Sequence, residues 1–195
     1  EVSLDGMTPV NDVLLEVFET PDSPSLIAST RSATDGTFSI SLDNPDETPI
    51  DAYLRATADG YKITYLFPPY PLREDFGNAL VGMVTEGTYN LLLFSSGADH
   101  TEGNGVAAVL VVDCFGDPVE GATVSSDPPA GDIGYTGSEG APTVDRSRTA
   151  DDGLAYLFDL PPGDVEVDAN IGSVSMREHT IKVFEDRVTT TLVLP

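Results

Sequence analysis

The sequence is short of cysteine, histidine and positive charge, and each shortage removes a class of function. Cys114 is the only cysteine, so no disulfide can close within the chain. It lies in the apolar run Val109 to Phe115 and reads as a small buried hydrophobe, not a nucleophile. The two histidines, His100 and His179, are far apart in sequence, and with one cysteine they do not make a usual zinc ligand set. Lys and Arg number 9 against 33 Asp and Glu, a formal net charge of -24. Such a chain repels phosphate backbones, which excludes nucleic acid as a partner and disfavours anionic membranes. No apolar run is long enough for a transmembrane helix, and none has the form of a signal peptide. Glu1-Val2-Ser3-Leu4 reads as the middle of a strand. The expectation is therefore a processed chain, with an export signal or lipid anchor ahead of Glu1 and no direct membrane insertion of its own. A Gly-x-Ser-x-Gly elbow, a phosphate-binding loop and a dinucleotide fingerprint are all missing, so no enzyme is expected.

What the sequence does have is punctuation. Among 195 residues there are 18 Gly and 15 Pro, with 40 % hydrophobic residues and a mean hydropathy of -0.05. Proline removes a backbone donor and glycine weakens helices, so the chain is cut into short segments, which points to β structure. Period-two alternation supports this. Phe38, Ile40 and Leu42 alternate with Thr37, Ser39 and Ser41; Val13, Leu15 and Val17 share a face; Val165, Val167 and Ala169 alternate with acids. Val188 to Leu194 reads as a closing strand. Asp35-Gly36, Asp59-Gly60, Asp152-Gly153 and Pro162-Gly163 mark turns. Leu72, Phe76, Leu80 and Met83 fall near helical spacing, so at most a short helix is expected over 72–83.

Ser95 to Gly105 is polar, glycine-rich and aperiodic, the signature of an exposed connection. The same order of signals stands on either side of it. Thr8-Pro9-Val10, Thr34-Asp35-Gly36 and the ending Thr88 to Leu93 in the first half answer Asp117-Pro118-Val119, Asp151-Asp152-Gly153 and Thr190 to Leu194 in the second. The expectation is two copies of one fold, units 1–96 and 106–195 with a linker at 97–105.

Three motifs of the second half carry a family resemblance. They are Asp117-Pro118-Val119-Glu120-Gly121-Ala122-Thr123-Val124, Thr149 to Gly153, and Leu160-Pro161-Pro162-Gly163-Asp164-Val165-Glu166-Val167. Together these resemble the carboxypeptidase regulatory-like domain, a transthyretin-like (prealbumin-type) sandwich. The first half is similar through Pro9-Val10-Asn11-Asp12-Val13 and Ala58-Asp59-Gly60-Tyr61, with its first strand cut short at Glu1. The resemblance implies an all-β chain of two tandem seven-stranded Greek-key β-sandwiches. It also implies an extracytoplasmic place, whether periplasmic, secreted or anchored at the bacterial surface. The expected role is structural or adhesive, with protein or polysaccharide as partner. Related sandwich folds include intradiol dioxygenases, which need two Tyr and two closely spaced His; this chain has no His-x-His pair.

Two readings compete for the acidity: a solvated surface that keeps the protein soluble, or loops that hold calcium through hard oxygen ligands. The calcium candidates are Asp43 and Asp46 in Asp43-Asn44-Pro45-Asp46-Glu47, and Asp99 with Glu102 and Asn104. Neither group has EF-hand spacing. No other cofactor is expected. A glycosidase-like carboxylate pair would need one acid in an apolar pocket, whereas these acids lie in turns and on polar strand faces. Tyr65, Phe67 and Tyr70, around Pro68-Pro69, are candidate ligand-binding aromatics that either stack on sugar rings or cover the rim of the first core. Asp127 to Ser147 reads as a long exposed loop able to carry recognition.

Overall fold

A computed structural model of the chain describes residues 2–3, 6–19, 24–44, 48–73, 77, 79–137 and 140–195. The first half contains β1 (Val2–Ser3), β2 (Gly6–Met7), β3 (Leu14–Glu19), β4 (Ser25–Arg31), β5 (Ala52–Thr57), β6 (Thr64–Phe67) and the helix α1 (Glu86–Ser96). The second contains β7 (Gly105–Val111), β8 (Thr123–Asp127), β9 (Asp132–Thr136), β10 (Pro142–Thr143), β11 (Leu154–Leu160), β12 (Gly163–Ile171), β13 (Val174–Ser175), β14 (His179–Val183) and β15 (Val188–Val193).

The second half is a sandwich. One layer has the strands β9, β11, β7 and β15 side by side, and the other has β12 between β8 and β14. Inward residues of both layers form one core, in which Val109, Leu157, Leu160, Val165, Val167 and Ile181 are almost wholly out of water. Each such side chain contributes about 1.5–3 kcal/mol of transfer free energy. The alternation read over 164–169 is the inward and outward face of β12, and the closing strand is β15.

The halves do not stand apart. β15 pairs in parallel with β7 on one side and with β6 on the other, Val188 facing Thr64 and Thr191 facing Phe67. One nine-stranded sheet therefore runs β10-β9-β11-β7-β15-β6-β5-β3-β4 through both halves. The segment 97–105, read from sequence as an exposed linker, is hydrogen-bonded to the second half. Thr101 N–H donates to Asp159 Oδ1 (2.7 Å), Asn104 Nδ2 donates to the same oxygen (2.9 Å), and Asp99 N–H donates to Asp132 Oδ2 (3.0 Å). Polar composition signalled exposure correctly, but these carboxylates bind the segment down.

Alternate residues of β5 and β6 divide between two cores. Leu54, Ala56 and Leu66 face a cluster with Val13, Leu15, Val17 and Met83. Tyr53, Tyr65 and Phe67 face the other way, into the core of the second half. Phe38, Ile40 and Leu42 pack on the first of these clusters, as do Ala79 and Val81. Yet 37–42 and 79–83 are not strands, because their backbones join no ladder.

The helix lies at Glu86–Ser96, later than the expected 72–83. Its ends explain the position. Thr85 is the N-cap, its hydroxyl accepting from Thr88 N–H (3.1 Å), and Gly97 closes the helix in the left-handed conformation at φ 78°. Leu72 instead bridges to Ile50, Met83 is buried against the sheet, and Phe76 lies outside the described residues. Two further expectations change. Cys114 is exposed, because β7 ends at Val111 and residues 113–117 form a turn around Asp113 Oδ1. The segment 127–147, expected as loop, contributes β9 and β10 to the large sheet.

Candidate functional site

The aromatic residues singled out from sequence are split by the fold. Tyr65 and Phe67 are buried on β6, whereas Tyr70, three residues beyond its end, is 41 % exposed. Phe67 stacks on Tyr53 with ring centroids 4.9 Å apart, and Tyr53 stacks on Phe18 at 5.6 Å. Tyr65 stacks on Phe184 of the second half at 3.8 Å. These rings join the two halves across the sheet, and faces packed in this way are closed to a sugar ring. Of the two readings left open for these rings, contact with sugar or cover for a core, Tyr65 and Phe67 have the packing of the second, because they share a strand face that another apolar layer covers. Burial pushes the Tyr65 and Tyr53 hydroxyls above the usual phenol range.

Beside Tyr65 the sheet carries an ion pair that no local pattern announces. Arg55 and Glu16 face each other across β5 and β3, and Arg55 donates Nε (3.1 Å) and Nη2 (2.7 Å) to Glu16 Oε2. The guanidinium also sits 4.8 Å from the centre of the Phe18 ring. Hydrogen bonding to Glu16 raises the Arg55 pKa still further. Finding this pair from sequence would have required the register of β3 on β5.

The calcium candidates are not brought together. Asp43 is exposed, Asn44 donates Nδ2 to Thr48 O (2.8 Å), and Asp46 lies outside the described residues. Asp99 and Glu102 are exposed. Among the described residues no group of three or more His, Cys, Asp or Glu is placed to hold a metal ion. The acid that organises this region is Asp159, which accepts from Thr101 and Asn104. Its pKa is lowered: partial burial raises it, and the hydrogen bonds from Thr101 and Asn104, with the charge of His100, outweigh that.

A concavity of about 1120 Å³ lies in the first half. Its floor is the apolar face of β3, β5 and β6, with Leu15, Leu54 and Leu66. Its walls are the extended segments 36–42 and 79–83. Among the described lining residues only Asp35 and Arg73 carry charge. Among the described residues the backbone from Phe38 to Asp43 and from Ala79 to Met83 makes no hydrogen bond. A site with apolar floor and idle amides suits extended polypeptide better than a small polar molecule.

Among the described residues no helix is long and apolar enough to cross a membrane. No family model matches the sequence, and no curated protein does. Among solved structures the chain is similar to the shaft pilin SpaA from Lactobacillus rhamnosus GG. The identity is 11 % over 98 % of this chain and 87 % of that one, with a TM-score of 0.29. It is also similar to the BSP domain of a biofilm associated protein, with 15 % identity over 93 % of this chain, 26 % of that one and a TM-score of 0.23. Scores this low carry no argument about function or partner.

Proposed function

We propose that the chain is a non-enzymatic structural or interaction module, exported to the bacterial envelope or surface, that meets protein or polysaccharide partners through its edges and loops. In this reading it is built from two tandem carboxypeptidase regulatory-like units fused into one stiff body. The observation that carries the proposal is the position of β15. This last strand is held in parallel between β6 and β7, so the end of the chain is laddered to both halves at once. Side chains reinforce the ladder: Thr190 Oγ1 donates to Tyr65 O and Thr191 Oγ1 donates to Phe67 O, both at 2.9 Å. Parallel neighbours pulled along their length load all their hydrogen bonds together, which suits a module that transmits force. A dense acidic surface supports the same role by keeping such a module solvated and monomeric.

Two measurements test this. Antibody against the protein is expected to label intact cells that make it, and a signal seen only after lysis would refute the placement. Pulled by its two ends, a single molecule is expected to yield in one step that releases the whole chain. A first half that peels away alone at low force would refute the stiff body.

A further inference from the structure

The two halves share a hydrogen-bonded corner, bond for bond. In the first, Val13 N–H donates to Ser32 Oγ (3.0 Å), Ser32 Oγ donates to Val10 O (2.7 Å), and Ser32 N–H donates to Val13 O (3.1 Å). In the second, Ala122 N–H donates to Thr149 Oγ1 (2.9 Å), Thr149 Oγ1 donates to Val119 O (2.7 Å), and Thr149 N–H donates to Ala122 O (2.9 Å). The glycines that follow match as well, Gly36 at φ 77° against Pro9 and Gly153 at φ 67° against Pro118. Strand pairing extends the match, since β5 lies antiparallel between β3 and β6 as β12 lies between β8 and β14.

Among the described residues one element has no counterpart. In the second half β7 completes the corner: Val111 N–H donates to Gly153 O and Val119 N–H donates to Val111 O, both at 2.9 Å. β7 then runs between β11, antiparallel to it, and β15, parallel to it. In the first half Gly36 O and Val10 N–H have no partner among the described residues. The segment 37–42 follows its Asp-Gly turn as β11 does, and 79–83 follows β6 as β15 follows β14. Between them is the cavity of about 1120 Å³. By the spacing of the corner, the position of Val111 falls on Val2, which pairs instead with Met7.

We propose that this cavity is an acceptor slot for a single β-strand, and that its occupant is polypeptide running into Val2 from the N-terminal side. The strand lies antiparallel to 37–42 and parallel to 79–83, and takes up their idle amides and carbonyls. Its inward positions are small and apolar, as Ala107, Val109 and Val111 are in the equivalent strand, all three wholly buried. The scarcity of charge among the described lining residues fits such a strand. A strand at this position converts two unpaired walls into the middle of a sheet, so the first half becomes a sandwich like the second. The inference stands on the corner and the cavity, and survives whether or not the module works at a cell surface.

The test fuses Gly-Val-Ala-Ala-Val, the sequence of Gly105–Val109, directly ahead of Glu1, which brings the added residues into the register of β7. Amide exchange across 38–42 and 81–83 is expected to slow at least about 100-fold relative to the unextended chain. Amides of β7 and β11 serve as the internal control for an intact fold. The same extension with Asp at its third and fifth residues, the inward positions, is expected to give no slowing. Fast exchange in the extended chain, with β7 and β11 still protected, overturns the proposal. So does protection of these amides in the unextended protein: as a monomer it would mean that no slot is open, and as a dimer that a second copy fills it.

Discussion

Matching corners allow a paired substitution whose two outcomes differ for a stated reason. A Cβ on Gly153 would lie 2.6 Å from Val111 O and 3.0 Å from Val119 N, both backbone atoms fixed in the β7 corner. Alanine there meets the left-handed penalty, about 1–2 kcal/mol. It must also push apart the bonds from Val111 N–H to Gly153 O and from Val119 N–H to Val111 O, at about 1 kcal/mol each. Gly153→Ala is therefore expected to lose about 3–4 kcal/mol. At Gly36 the same Cβ meets Pro9 Cβ at 2.9 Å and Pro9 Cα at 3.1 Å, on an exposed turn with no strand bonded behind it. Gly36→Ala carries the conformational penalty and a contact that the turn can relax, about 1–2 kcal/mol. Urea unfolding followed by tyrosine fluorescence reads the difference. With a slope of about 2 kcal/mol/M, Gly153→Ala moves the midpoint down by about 1.5–2 M and Gly36→Ala by less than about 1 M. Equal losses at the two glycines would refute the reasoning, because they would mean that a strand is seated behind Gly36 as firmly as β7 behind Gly153.

Phe67→Ala empties a site between Tyr53 and the second-half core, and is expected to cost about 3–5 kcal/mol. Because both halves share that wall, the loss should shift one cooperative transition, and two separated transitions in urea would contradict the shared core. His179 gives a pH signature. Burial, helped by the charge of Arg177, pushes its pKa down to about 4, while the unfolded imidazole titrates near the ordinary 6.5. Between those values the unfolded chain binds the proton and the folded one does not, so stability is whole above about pH 6.5 and declines as pH falls toward 4. For a partly buried ring, roughly 2 kcal/mol is at stake after solvent screening. Protonating carboxylates relieves acidic repulsion over part of the same range. The measurement is therefore the difference in melting temperature between the native protein and His179→Gln, which should close as pH falls; a constant difference would refute the assignment.

The sequence made the class of fold legible wherever a strand has one wet face. β12 reads correctly because Asp164, Glu166 and Asp168 alternate with Val165, Val167 and Ala169, and the Asp-Gly pairs sit in turns where Gly36, Gly60 and Gly153 take positive φ. Strand β6 defeats the same method. Thr64, Tyr65, Leu66 and Phe67 are all buried, so no alternation tells which side of the sheet each ring faces. That ambiguity is what made Tyr65 and Phe67 candidates for ligand contact. The helix was signalled by Thr85, Thr88 and Gly97. Its Leu91-Leu92-Leu93 run resembled the closing Leu192-Val193-Leu194, and that likeness hid the caps. Pairing of β15 with β6 joins residues more than a hundred positions apart, and local periodicity holds no information about it.

The same two-faced strands explain how a half-built sandwich holds its shape. In the first half the walls 37–42 and 79–83 contribute apolar contact but no ladder, so they add little to the stability of the sheet beneath them. That sheet is secured from its opposite face, where Tyr53, Tyr65 and Phe67 are gripped by Phe184 and the second-half core. Stability should therefore grade across the molecule from the β7–β11–β15 centre, through β6 and β5, to the walls of the slot. A sheet anchored on one face can leave its other face open, and a strand arriving there finds β3, β5 and β6 already laid out as the floor. Filling the slot then requires ordering only the incoming strand and two walls that are already extended, which keeps the entropy of that step small.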